Sequence, residues 1–345
     1  MGSFAKQEHK GSHSADVSAE LLFAIASNDP VSGHTHNFYR YPARFSPLFV
    51  REVIRQYSRP GETVLDPFMG GGTAIVEALA LGRKVIGVDL NTLAHFVSTV
   101  KTTPLSNYDV EVLEEWLADV QDVGRRGIGE ADQPVRNLPR HLQKTWADLM
   151  AQVEWLPLER QQNFVRCVLL KTGQWAIDCK ELIPSGADTL KQFANHFHEM
   201  IQGVEEFVGT CRMEGIKKSK IRQNRLLLCR STAGLESESR LATVSKPTLV
   251  VTSPPYPAVH ILYHRWQVQG RRETPAPYWL TAFQYEMARS SLSLYSLVSG
   301  FSSFAPISSS LASYSVDSCP RYPRYTSPFP ELGPLLKRAA LLVRG

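Results

Sequence analysis

Little in this chain of 345 residues suggests covalent or metal staples. Its five cysteines (Cys167, Cys179, Cys211, Cys229 and Cys319) are scattered, with no paired metal spacing. An odd, sparse set fits a reducing compartment better than a disulfide framework. No metal site is expected. No apolar core marks the N-terminus as a secretory signal, and no apolar run approaches the roughly 20 residues that cross a bilayer. The expectation is a soluble, cytoplasmic protein with no membrane partner. Net charge is only +5, which permits nucleic-acid binding without demanding it. There is no internal repeat and no recognisable RNA-binding module. The pattern Gly-x-Gly-x-x-Gly is missing too, as is a second nucleotide-binding half, so NAD is disfavoured.

Two stretches carry chemistry. The first is Thr63-Val64-Leu65-Asp66-Pro67-Phe68-Met69-Gly70-Gly71-Gly72-Thr73, a strand followed by a glycine turn. Ala74 to Leu81 is helical by propensity, and Gly82 is a stop signal. Val85-Ile86-Gly87-Val88-Asp89 is a second strand ending in an acid. This is a βαβ unit with glycines where a cofactor would approach the backbone. Asp89 lies nearly twenty residues beyond them, the spacing at which an acid meets a ribose diol. Asp66 could take an amino group, or merely cap its turn.

The second stretch is Thr252-Ser253-Pro254-Pro255-Tyr256, after the apolar run Pro247 to Val251. Consecutive prolines cannot continue a ladder, so the chain leaves the sheet at Ser253. Ligands of open α/β sheets sit at that end of the strands. The corner offers a hydroxyl, a carbonyl and an aromatic ring to a planar amine; the bland reading is a turn between core strands.

Together the motifs resemble the S-adenosylmethionine-dependent amino-group DNA methyltransferases, of the N4-cytosine/N6-adenine type. That family has an Asp-Pro-Phe-x-Gly-x-Gly-Thr donor loop and a Ser/Asp/Asn-Pro-Pro-Tyr corner. Tyr41-Pro42-Ala43-Arg44-Phe45-Ser46-Pro47 is similar to the segment that precedes the loop. The resemblance runs over about 34–279 and is weak between 106 and 225. It implies S-adenosylmethionine as cofactor, held by Tyr41, Arg44, Phe45, Asp66, Pro67, Phe68, Gly70, Gly72, Thr73, Asp89 and Asn91. Leu93 would border the adenine with Asn91. Catalysis would rest on Ser253, Pro254, Pro255 and Tyr256. The partner implied is double-stranded DNA with the target base flipped, and a cognate restriction endonuclease. His260, Tyr263 and Arg265, with Trp266 nearby, interleave basic and aromatic residues as substrate contacts do; a packed helix is the competing reading. An RNA base methyltransferase and a truncated, non-catalytic remnant are the alternative functions.

The expected architecture is α/β: a Rossmann-like methyltransferase sheet with a helical insertion between its second and third core strands. Residues 1–30 read as a flexible arm and short helix, and 31–105 as the cofactor-binding half. The insertion covers 106–225, and 226–280 forms the catalytic half. Lys217, Lys218, Lys220, Arg222 and Arg225 make a basic cluster, either a solvated surface or a phosphate contact. From Ser290 to Val316 there is no charged residue. The serine-rich tail 281–345 does not supply the strands that should finish the sheet. It is either disordered and divergent or an out-of-frame product, leaving the C-terminal part of the sheet incomplete.

Overall fold

The structure is a computed structural model that describes residues 17–41, 44–123, 135–254, 266–269 and 272–281. The first helix described, α1 (Ala19–Ala26), is the short helix expected within residues 1–30. Its start is set by Ser18, whose hydroxyl accepts from the Leu21 amide at 3.1 Å. Helix α2 (Pro47–Tyr57) carries proline in its first turn, where no amide is needed. Strand β1 (Thr63–Asp66), helix α3 (Thr73–Ala80) and strand β2 (Lys84–Asp89) form the expected βαβ unit, followed by α4 (Thr92–Lys101).

Helices α5 (Asn107–Val123), α6 (Arg140–Val153), α7 (Glu159–Ile177), α8 (Gly186–Met213) and α9 (Lys218–Ile221) come next. The chain then returns to the sheet in β3 (Arg225–Cys229) and β4 (Leu249–Val250). The sheet order is β3-β2-β1-β4. Each pair is parallel, with Val64 opposite Val85 and Leu249. Crossover helices bury both faces of such a sheet, which explains the uninterrupted apolar character of its strands.

Val64 and Val85 join α2, α3 and the end of α8 in one core. Leu65, Ile86, Val88, Leu228 and Val250 face the other way and pack on Leu235. A third cluster unites α4 to α8 with Phe38, Tyr39, Tyr41 and Trp266. Strands β5 (Trp266–Val268) and β6 (Arg272–Thr274) pair antiparallel, and α10 (Ala276–Leu280) follows. These elements dock on the helical layer: the Cys179 amide donates to the Gln267 carbonyl at 2.8 Å. Trp266 is therefore a core residue. Its ring meets Trp146 edge-on, and its Nε1 donates to the Tyr39 hydroxyl. The reading that grouped it with nucleic-acid contacts is corrected. Its apolar surface is better satisfied in the core, with the indole N–H partnered.

Candidate functional site

The C-terminal ends of β1, β2 and β4 converge. Asp66 ends β1 and is buried. Its Oδ1 accepts from the Phe68 amide at 3.1 Å and from the Thr252 hydroxyl at 2.8 Å. The second bond ties the Ser253 corner to the glycine loop, across 186 residues of chain. Ser253 is half-buried and Pro254 exposed. Pro255, Tyr256, His260, Tyr263 and Arg265 lie outside the described residues.

Asp89 ends β2. Its Oδ2 accepts from the Gly70 amide at 2.9 Å and its Oδ1 from the Asn91 amide at 2.8 Å. The loop and the acid are thus one hydrogen-bonded unit. Gly72 adopts a left-handed φ of 77° as α3 begins, and a Cβ there would lie 2.5 Å from Ser98 Oγ. Glycine meets both demands without strain. Pro67 and Thr73 are buried, whereas Phe68 projects from the loop, 39% exposed.

Tyr41 packs against the loop, so close that a Cβ on Gly71 would approach its own Cβ to 2.7 Å. Its hydroxyl accepts from Asn91 Nδ2 at 3.0 Å. Asn91 Oδ1 caps α4 through the Leu93 amide and accepts from the Tyr278 hydroxyl at 3.3 Å. Asn91 is buried among these partners, and Leu93 is fully buried in the core. Arg44 is half-buried and donates to the His36 carbonyl at 3.4 Å. Phe45 packs on Phe49.

Burial pushes the Asp66 carboxyl up to about 7, against the opposing pull of its hydrogen bonds, and the Asp89 charge adds to the rise. Burial likewise raises Asp89. Among the described residues neither acid has a cation as partner. Two buried carboxylates beside an open-backbone loop suit a ligand that brings positive charge and hydroxyl donors. The residues therefore fit S-adenosylmethionine, whose sulfonium and amino groups are cationic and whose ribose carries a diol.

Two features were missed from the sequence. Lys101 is buried, and its Nζ donates to the Gly71 carbonyl at 2.7 Å. Burial brings it down to about 7, with the Arg44 charge acting in the same direction. The signal was present: Lys101 falls on the apolar stripe of α4 that holds Leu93, Val97 and Val100. The second is Glu77, an acid inside the apolar α3. Its carboxylate meets His36 Nε2 at 2.7 Å and receives Arg51 Nε and Nη2 at 2.8 and 3.0 Å. Burial alone would raise Glu77, but the His36 and Arg51 bonds more than offset it and bring it to about 2. His34, His36 and Glu77 offer ligand atoms within 4.8 Å of one another, a spacing a metal ion could use. Arg51 already neutralises Glu77, so the cluster reads as a pin that holds the segment before Tyr41 onto α3.

The family model described as DNA methylase matches residues 5–97. This span includes Tyr41, the glycine loop and Asp89. That part of the chain is similar to the amino-group DNA methyltransferases. The family takes its methyl group from S-adenosylmethionine. Type II methyltransferase M.MjaII of Methanocaldococcus jannaschii is 27% identical over 128 residues, 36% of this chain and 23% of that protein. Type II methyltransferase M.MvaI of Kocuria varians is 43% identical over 74 residues, 21% and 16% of the two chains. DNA adenine methyltransferase YhdJ of Escherichia coli is 32% identical over 76 residues, 22% and 26%. The chain thus spans about a quarter or less of the length of these relatives. No helix among the described residues is long and apolar enough to cross a membrane.

Proposed function

We propose that this chain methylates an exocyclic amine of a DNA base, with cytosine N4 favoured and adenine N6 the alternative. The observation that carries the reading is the bond from Thr252 to Asp66. It supports the reading because Thr252, next to Ser253, is tied to the acid that ends β1, so an amine held by the corner would face a ligand held by the glycine loop. Bound S-adenosylmethionine would supply an electrophilic methyl group. Asp89 would receive its ribose hydroxyls and Asp66 its amino end, with Tyr41 and Phe68 bordering the loop and Arg44 within the same segment.

Ser253 Oγ and the Pro254 carbonyl would accept the two amine hydrogens. That keeps the nitrogen lone pair aimed along the line of transfer as the amine turns tetrahedral. Tyr256 would stack on the base. No strong general base is needed, because the proton can leave after attack. Positioning of this kind accounts for roughly 7–11 kcal/mol of a barrier at its best. A paired base is out of reach inside a duplex, so the target would be flipped. The helices between β2 and β3 would then be an insertion into the methyltransferase sheet. A cytoplasmic setting and a partner endonuclease complete the reading.

Transfer of a radiolabelled methyl group to duplex DNA, followed by digestion and mass spectrometry, tests it. N4-methylcytosine or N6-methyladenine is expected. Recovery of 5-methylcytosine would reject the mechanism, because that product needs a cysteine nucleophile that the corner lacks.

A further inference from the structure

A cavity of about 260 Å³ opens on the edge of the sheet opposite Asp66 and Asp89. Register fixes its place: Arg225 begins β3 beside Val85, whereas Cys229 at the other end lies beside Asp89. Its walls come from the end of α4 (Thr99, Thr103), the first turn of α7 (Arg160, Asn163), and Arg222 and Arg225. The volume is below the roughly 300 Å³ at which pockets for larger organic ligands begin. A small group, or one unit of a polymer, fits such a space.

The charge balance is uneven. Three guanidinium groups and one carboxylate, Glu159, line the cavity. Arg160 donates its Nε to Asp109 at 2.8 Å. Glu159 is exposed and accepts from Asn163 at 3.4 Å. Arg225 has no such counter-charge. Its Nη1 donates to the Thr99 carbonyl at 2.8 Å and to the Thr102 hydroxyl, and its Nη2 to the Thr103 hydroxyl at 2.9 Å. These bonds use three of the five N–H donors of an arginine. Among the described residues no carboxylate pairs with Arg225 or with the exposed Arg222. Burial, followed by the neighbouring Arg222 charge, pushes Arg225 down to about 9. A half-buried guanidinium without a counter-ion is a costly arrangement that an anion would relieve. Lys217, Lys218 and Lys220 continue the positive charge along exposed α9.

We propose that this cavity binds a phosphate group, with Arg225 inside and Arg222 at the mouth. Phosphate suits the site better than a lone carboxylate, because it presents more acceptor oxygens to the two guanidinium groups and Asn163. It could be free phosphate or a phosphodiester of a nucleic-acid backbone running along α9. The second source rests on the DNA reading above; the first does not.

The test uses the full chain, without methyl donor. Inorganic phosphate is titrated calorimetrically at constant ionic strength against chloride, and duplex DNA affinity is measured across a salt series. Wild type is compared with Arg225→Gln and Arg222→Gln. Losing a charged hydrogen bond should weaken phosphate binding by about tenfold. If the source is a backbone, each substitution should lower the slope of log affinity against log salt by about one. A weakened phosphate titration alone assigns the free ion; a reduced slope assigns the backbone. Phosphate affinity and salt slope both indifferent to the substitutions would overturn the proposal. Arg225→Gln also loses its bonds to α4, so the exposed Arg222→Gln decides the matter if that variant unfolds. No step measures methyl transfer, so failure here is separate from failure of the enzymatic reading.

Discussion

Glu77 on α3 and the pair Asp66 and Asp89 at the strand ends are buried acids of one βαβ unit, and they have opposite surroundings. Glu77 is met by Arg51 and His36 and is held at about 2. Asp66 and Asp89 receive only hydroxyl and amide donors and are pushed up by burial, Asp66 to about 7. Burial alone therefore does not mark a site. The missing cation does: an acid whose counter-charge is built in has a structural task, and one without it can receive a charged ligand.

Removing Glu77 should produce the largest effect and is the most direct way to break this contrast. Glu77→Gln leaves Arg51 facing a neutral amide. Breaking a buried pair by removing one partner costs about 3–5 kcal/mol. Urea unfolding should show a loss of about 3 kcal/mol, reduced toward the low end because Arg51 is partly exposed. A loss below about 1 kcal/mol would mean that the network is ornamental rather than a pin.

Asp66→Asn should behave in the opposite way. The acid has no built-in cation to strand, so stability should change by less than about 1 kcal/mol. Affinity for S-adenosylmethionine should fall, since a charge-assisted bond contributes about 1.5–3 kcal/mol. Calorimetry on both forms reads this as roughly a tenfold to hundredfold weakening. If stability collapses while donor affinity is unchanged, Asp66 belongs with Glu77 and the contrast fails.

Most of the sheet was legible in the sequence because local signals agree there. Thr63–Asp66 and Lys84–Asp89 alternate with a strong helix former, and Gly72 sits where only a left-handed turn connects them. Within the apolar run Pro247 to Val251 the strand is only Leu249–Val250, and Thr252 already turns toward Asp66. The candidate site residues that the sequence singled out, Asp66, the glycines and Asp89, have a local signature, and the structure brings Asp89 and the Gly70 amide together at 2.9 Å. Those defined by distant partners were not singled out. Glu77 meets residues 26 and 41 positions away, and Lys101 meets a carbonyl 30 positions away. Helical periodicity says that such a side chain is buried, but not which partner neutralises it. Trp266 failed for the same reason, since its partners Trp146 and Tyr39 are remote in sequence. The expectation for 281–345 lies, Thr281 apart, outside the described residues.

The smallest expected effect is also the sharpest test, because the two kinds of acid give opposite pH signatures. Glu77 has a folded pKa below its ordinary 4.5, so its contribution to stability is full above 4.5 and is lost as pH falls toward 2. His34 and His36 are lowered by burial, so acid destabilises through them as well, below about 6.5. Asp66 has a folded pKa above its ordinary 3.8. Its contribution is full below 3.8 and is lost as pH rises to about 7. Where folding favours the acid form, a cationic donor favours the carboxylate, so binding should expel a proton. Between pH 6 and 8 the ionised fraction of a group titrating near 7 rises from about a tenth to about nine tenths. Donor affinity should therefore climb by up to about ninefold over that range. Asp66→Asn should flatten most of the climb, leaving whatever Lys101, held at about 7, contributes through the Gly71 carbonyl. Lys101→Met separates the two: it should shift the loop's affinity at every pH but keep the climb. A flat profile in wild type, or an unaltered climb in Asp66→Asn, would show that the strand-end acid is not where the donor's charge is received.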